Sequence, residues 1–316
     1  MNRFVTYLAS AAIMFAVPAC AQEKGDESQN LPAPIASESA SAPEPVARSS
    51  PEDFEELLDQ YLAYNQRLEN IAFRILSRNK DSCQETQRSI GMKPHTVFDY
   101  PSDLQMMARV YLDIETQTSV RIVAKDSPAE LAGLEPGDRI LQLGEYKIPD
   151  GEMGGELFEA VSAREYQHGL THMIIERQGA EKTVELRPIS ICGYPAQLFY
   201  SDVANAHTNG GEIWVTSELV RATASDISLA LVFSHELAHA VQRHIFETPS
   251  RELELEADRL SLIYLDRAGY DAQEAIRLWK LNPLNHKAEP SESHPSSDER
   301  LKVLLGSLAL IAQARQ

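Results

Sequence analysis

The chain has 316 residues, 43% of them hydrophobic, enough for about two folded domains with cores of their own. Its 29 Lys and Arg against 47 Asp and Glu leave a formal net charge of −18 and no clustered basic stripe. Phosphate binding needs such clusters, so no nucleic-acid partner is expected, and the acidic balance reads as a solvated surface.

The first residues carry an address. Arg3 supplies a positive start, Phe4 to Val17 form an apolar run of 14 residues, and Pro18-Ala19-Cys20-Ala21 follows. This is the pattern of a secretory signal peptide over 1–21, shorter than the roughly 20 apolar residues of a spanning helix. Two processing sites fit. Val17-Pro18-Ala19-Cys20 is similar to a lipobox, which would make Cys20 a lipidated N-terminus and membrane tether. Ala19-Cys20-Ala21 satisfies the ordinary A-x-A rule and would release an untethered protein. Either way the expected place is outside the cytoplasm, in the periplasm or on the outer membrane of a Gram-negative-type bacterium. Cys83 and Cys192 then remain in an oxidising compartment, where they can pair as a disulfide. Neither has a C-x-x-C partner, which speaks against a thiolate metal site.

Residues 22–50 are rich in Ser, Ala, Pro and Glu and read as a disordered linker. The stretch 51–94 opens with Ser50 as a cap, Pro51 at the first helical position and Asp53 at the positive helix end. Phe54, Leu57, Leu58, Tyr61, Leu68, Ile71, Ala72, Ile75 and Leu76 recur at helical spacing, which predicts an amphipathic helix of about seven turns.

From 95 to 190 the texture becomes β-rich. Val120 to Ala124 reads as a strand, Ser127-Pro128-Ala129-Glu130-Leu131-Ala132-Gly133 as a short helix ended by glycine, and Pro136-Gly137-Asp138-Arg139-Ile140 as a turn feeding a strand. Further strands are expected at Met173 to Arg177 and Lys182 to Arg187. The Ser-Pro-Ala, Ala-Gly-Leu and Gly-Asp-Arg-Ile run resembles a PDZ domain, a fold that adds an extended peptide to a sheet edge. The glycine-rich carboxylate-binding loop of such domains has no counterpart around Val110 to Val120. The unit is thus expected to be a peptide binder or a spacer.

The stretch 191–316 carries strands at Gln197 to Tyr200 and Glu212 to Val215, with Asn209-Gly210 as a hairpin turn. Ser225 caps a long helix with Ile227, Leu231, Val232, Leu237, Ala238 and Val241 on it. A second helix is expected from about Ser250 to Ala268, stopped by Gly269.

The chemistry lies on these two helices. His235-Glu236-Leu237-Ala238-His239 places two imidazoles one turn apart on one face, where both can meet one zinc ion. Glu236 can then reach a water at the metal and take its proton. A third ligand must come from elsewhere. Glu252-Leu253-Glu254-Leu255-Glu256-Ala257-Asp258 is the best supply, with Glu254 and Asp258 sharing a face, but spacing alone does not choose between Glu254 and Glu256. His294 before Pro295 and Arg300 are the remaining candidates, the first otherwise a structural histidine at a loop-helix junction and the second, which can pair with an acidic group near the site, otherwise a surface charge. His244, five residues past His239, falls on another helix face and reads as structural. No G-x-S-x-G element or phosphate loop appears.

Together, the His-Glu-x-x-His element, Glu254-Leu255-Glu256-Ala257-Asp258 and Ser293-His294-Pro295-Ser296-Ser297-Asp298-Glu299-Arg300 resemble the gluzincin peptidases that include HtpX and the CAAX prenyl proteases. Within them the layout is most similar to the exported, non-spanning BepA-like branch. The resemblance implies an α+β fold: a zincin-like, mainly helical metallopeptidase domain with a small sheet, plus an inserted PDZ-like domain. It implies Glu254 as third zinc ligand, Asp258 as orienter of a histidine, His294 as a donor to the developing oxyanion or an occupant of the open metal position, and one zinc per chain. It further implies an endopeptidase acting on unfolded or misassembled cell-envelope proteins, with extended polypeptides as partners. A zinc-containing, chaperone-like or PDZ-mediated binding protein is the competing reading. The 14 residues between His239 and Glu254 are fewer than many relatives place there.

Overall fold

The structure, a computed structural model, describes residues 51–100, 102, 104–282 and 293–315. The leader, both processing sites at Cys20 and the linker expected over 22–50 lie outside the described residues.

Helix α1 (Pro51–Arg78) is 28 residues long. Leu68, Ile71, Ala72, Ile75 and Leu76 make its buried stripe, at the spacing expected from the sequence. After a short 3-10 turn at Lys80–Ser82 the chain enters β1 (Thr86–Ser89) and then a β-rich unit. That unit comprises β2 (Met92–His95), α2 (Gln105–Leu112), β3 (Ser119–Val123), α3 (Pro128–Leu131), β4 (Arg139–Leu143) and β5 (Tyr146–Lys147), followed by α4 (Met153–Glu165), β6 (Thr171–Arg177) and β7 (Ala180–Leu186). The strands run in the order β2-β3-β4-β6-β7, antiparallel throughout, with β5 on β4. Thr171, Met173 and Ile175 alternate inward from β6 and meet Val120, Ile140, Leu143 and Leu186, with Phe158 of α4 across them.

The Gly-Asp-Arg-Ile run has a physical reason. Gly137 sits at φ +91°, and the buried Asp138 accepts hydrogen bonds from the Glu135 N–H and, at 2.5 and 2.6 Å, from the Arg177 guanidinium. Helix α4 was not expected; Gly154 and Gly155 in its first turn hide it. Around Val110 to Val120 the chain instead holds the end of α2, at Leu112, and the start of β3, at Ser119. The glycine that leads into the edge strand β2 is Gly91, at φ +73°, where an added Cβ would lie 2.4 Å from the Ser127 Cβ.

His95 on β2 is buried, with its Nδ1 3.1 Å from the Tyr100 hydroxyl. Burial first, and the Arg121 charge second, push its pKa down to about 3. An unfolded histidine titrates near about 6.5. The unfolded chain therefore binds the extra proton between these values, and stability falls as pH drops from about 6.5. Asp99 runs the other way, since burial raises its pKa, and it returns some stability at the acid end. From about pH 8 to about pH 4.5, the wild type should lose about 2.7 kcal/mol more than His95→Gln, two pH units at about 1.36 kcal/mol each. Urea unfolding at both pH values measures this; equal losses in the two proteins would refute a histidine buried neutral.

The chain returns through β8 (Ile189–Cys192), which pairs antiparallel with β1 from Thr86↔Cys192 to Ser89↔Ile189. Cys83 and Cys192 are joined in a disulfide beside this ribbon, with Cα atoms 5.5 Å apart. The remaining elements are β9 (Ala196–Phe199), β10 (Ala206–Thr208), β11 (Ile213–Thr216), α5 (Ser217–Ala222), α6 (Asp226–Gln242), α7 (Arg251–Arg267), α8 (Ala272–Leu281) and α9 (Ser297–Ala314). The small sheet runs β10-β11-β9, leaving β10 at an edge. Its hairpin loop spans 209–212, longer than a two-residue turn. The Asn209 side-chain oxygen accepts from the Gly211 and Glu212 N–H groups and closes it.

Ser225 caps α6 and Ser250 caps α7, each side chain accepting from the N–H three residues on. Gly269, at φ +77°, follows the end of α7. Phe233, Leu237 and Val241 of α6 and Leu262 and Leu265 of α7 pack with the α1 stripe into one core. No helix among the described residues is long and apolar enough to cross a membrane.

Candidate metal centre

Helix α6 presents His235, Glu236 and His239; α7, packed along it, presents Glu254 and Asp258. The two Nε2 atoms of His235 and His239 are 3.1 Å apart. Glu254 closes a triangle, with one carboxylate oxygen 3.4 Å from His235 Nε2 and the other 3.5 Å from His239 Nε2. Two ligands at about 2.05 Å from a tetrahedral zinc lie about 3.3 Å from each other. The triangle has that size, and its donor set of two imidazoles and a carboxylate is one that catalytic zinc uses. Among the described residues these three form the group able to hold a metal ion. Of the two glutamates that spacing left open, Glu254 meets the histidines; Glu256 turns to His244, 3.6 Å from its Nε2.

What lies behind the triangle fixes its chemistry. His235 Nδ1 is 3.1 Å from Asp258 Oδ1, and Arg300 of α9 donates to both oxygens of Asp258 at 2.6 and 2.7 Å. An imidazole whose Nδ1–H meets a carboxylate keeps the Nε2 lone pair for a metal. Burial opposes a charge on His235, yet its contacts with Asp258 and Glu254 outweigh that and hold its pKa up to about 10. Burial and the neighbouring His235 charge push His239 down to about 4. Against burial, Arg300 holds the Asp258 carboxyl below its ordinary value and His235 does the same for Glu254. Without the His235 proton, two carboxylates and one guanidinium leave the centre short of positive charge, and a dication can take that proton's place.

Glu236 is close by and half-buried, and desolvation raises its pKa to about 7. It lines two adjoining cavities. One, about 230 Å³, lies between β10, α6, α8 and α9 and is bounded by Ala206, Leu231, Val232, Trp279 and Arg300. The other, about 320 Å³, holds Ala206, His207 and Thr208 of the edge strand opposite His235, His239 and Glu254. His294 lines this second cavity from the loop before α9, exposed, with its Nδ1 2.9 Å from the Ser293 hydroxyl. A capping box of Ser296 and Glu299, with Arg251 of α7 on Glu299, anchors that loop. The first cavity thus brings together His235, Glu236, Asp258 and Arg300, and the second His235, Glu236, His239, Glu254 and His294.

His244 is the residue that helix geometry missed. Helix α6 stops at Gln242, and Arg243 adopts a left-handed conformation at φ +61°. That break swings His244 back, so that its Nδ1 lies 3.1 Å from the Nδ1 of His239. Positions counted around a continuing helix place it elsewhere, and nothing in the residue pattern announces the break.

The profile described as Peptidase family M48 matches residues 167–251 and 245–307. The mitochondrial metalloendopeptidase OMA1 of Arabidopsis thaliana is 30% identical over 131 residues, covering 30% of this chain and 27% of that protein. OMA1 of Saccharomyces cerevisiae is 26% identical over 106 residues, covering 22% of this chain and 31% of that protein. The chain thus spans about a third or less of the length of these relatives. A solved HtrA3 PDZ domain bound to a phage-derived ligand is similar at TM-score 0.25 and 19% identity, covering 34% of this chain and 92% of that one. The stretch that matches the Peptidase family M48 profile carries His235, Glu236, His239, Glu254, Asp258, His294 and Arg300 together.

Proposed function

We propose that this chain is a zinc-dependent endopeptidase that cleaves extended or unfolded polypeptides. The observation that carries the reading is the donor triangle of His235, His239 and Glu254 with a half-buried Glu236 beside it. Zinc, when bound, supplies Lewis acidity that acidifies water and polarises a carbonyl. The chain's own residues do the rest. Glu236, poised near neutrality, takes the proton of the attacking water and passes it to the departing amine nitrogen as the C–N bond breaks. Asp258, clamped by Arg300, holds His235 in place. His294, which lines the same cavity, is the residue we assign to donate to the carbonyl oxygen as it gains charge. Among the described residues the edge strand β10 pairs with β11 alone, and its residues line the cavity, so we infer that an extended substrate adds there as a strand.

We further propose that the protein works outside the cytoplasm on unfolded or misassembled envelope proteins. The leader pattern and the Cys83–Cys192 disulfide support that place. Lipidation at Cys20 is the tether we favour, and incorporation of labelled lipid that disappears in Cys20→Ala tests it. The activity itself is tested with unfolded casein. Cleavage is expected from protein holding one zinc per chain, should stop on chelation, and should return when zinc is restored. Cleavage that persists in metal-free protein would sink the reading.

A further inference from the structure

The two histidines of the triangle are backed differently. His235 rests on a carboxylate, Asp258. His239 rests on a second imidazole, which in turn faces Glu256 at 3.6 Å, and Arg259 meets Glu256 at 3.3 Å. We propose that His244, held by Glu256, is the positioning residue of His239, fixing its ring plane and its tautomer so that Nε2 faces the metal. This rests on the metal reading above and adds a residue to it.

The argument is one of donors and acceptors. A metal-binding His239 Nε2 needs its lone pair, so the ring's proton must sit on Nδ1. The partner of that N–H is His244 Nδ1, which must then accept; the remaining proton of His244 is on Nε2, and Nε2 faces the Glu256 carboxylate. Each step allows one arrangement, and Glu256 selects it. Burial makes the arrangement firm: the His244 side chain is 4% exposed, so water does not compete for these contacts. The backbone agrees, since the left-handed turn at Arg243 and the 3-10 turn at His244–Phe246 hold the ring against α6. An imidazole behind His239 also adds no carboxylate to a centre that already has Glu236, Glu254 and Asp258.

The test uses the full chain and reads zinc affinity by competition with a chromophoric chelator. His244→Phe fills the space without an acceptor and should bind zinc 10–100-fold more weakly, the usual effect of removing such a partner, about that range being expected. His244→Gln, whose side-chain oxygen can accept from His239 Nδ1–H, should recover most of the loss. Cobalt in place of zinc should give a visible absorption spectrum altered in His244→Phe and close to wild type in His244→Gln. Glu256→Ala, at a half-exposed position outside the packed core, should fold normally and weaken zinc binding by several-fold in the same direction. Wild-type affinity in His244→Phe and in Glu256→Ala would overturn the inference while leaving the metal reading intact. A wild type that binds no zinc would overturn both.

Discussion

Glu236→Gln is expected to lower kcat on an unfolded protein substrate by about 10²- to 10⁴-fold, the range attributed to a positioned general base, while still binding one zinc per chain. The replacement keeps the size and one hydrogen-bonding oxygen of the side chain and removes its capacity to take a proton. Glu236 is not among the three donors of the triangle, so metal content should not follow activity. The pH profile carries the same information. Only the carboxylate form accepts a proton, so kcat/KM should rise with pH through the Glu236 titration. Burial sets that titration near 7, and a bound dication beside it would draw it lower. In Glu236→Gln this acid limb should vanish from the residual rate. Equal activity in the two proteins would end the assignment. A loss of activity matched by a loss of zinc would move Glu236 from proton transfer to metal retention.

How much of this site is readable in residue order follows from how local each part is. His235 and His239 lie one turn apart on one helix, so their meeting depends on α6 alone. Glu254 against Glu256 is a question of how α7 is rotated towards α6, and that is set by packing of Leu262 and Leu265 into the shared core rather than by spacing. The family resemblance, not periodicity, pointed to Glu254. Arg300 and Asp258 are 42 residues apart and meet only because α9 packs on α7. His244 shows the opposite failure, where a local rule was applied across a helix end that the rule does not see. The group of buried His95 with half-buried Tyr100 and Arg121 was equally hidden, because β2, the turn after it and β3 bring it together from separate strands. The long α1 stripe and the capping serines at 225 and 250 were legible because each is a short-range pattern with a short-range cause.

Removing the Cys83–Cys192 bridge should cost about 4–5 kcal/mol of unfolding free energy. The two cysteines are 109 residues apart, and the chain-entropy model assigns a loop of about that length close to 5 kcal/mol at 25 °C. The size of the effect depends on what lies inside the loop. The β-rich unit, with its own core of Ile140, Met173 and Ile175, fills nearly all of it, and the β1–β8 ribbon holds the loop's ends together. If that unit unfolds with the helical part, the bridge constrains a long free loop and the full value appears. If it stays folded while α6 and α7 melt, the ribbon already holds the ends close, and the bridge adds little. The α1 helix packs against β3 as well as α6, and Gln66 and Asn70 of α1 bond the chain at Val123 and Lys125, which favours joint unfolding. Urea unfolding of Cys83→Ser/Cys192→Ser against the oxidised wild type should therefore show one transition, shifted by the full amount. Two separate transitions, or a shift under about 1 kcal/mol, would mean that the two cores come apart independently.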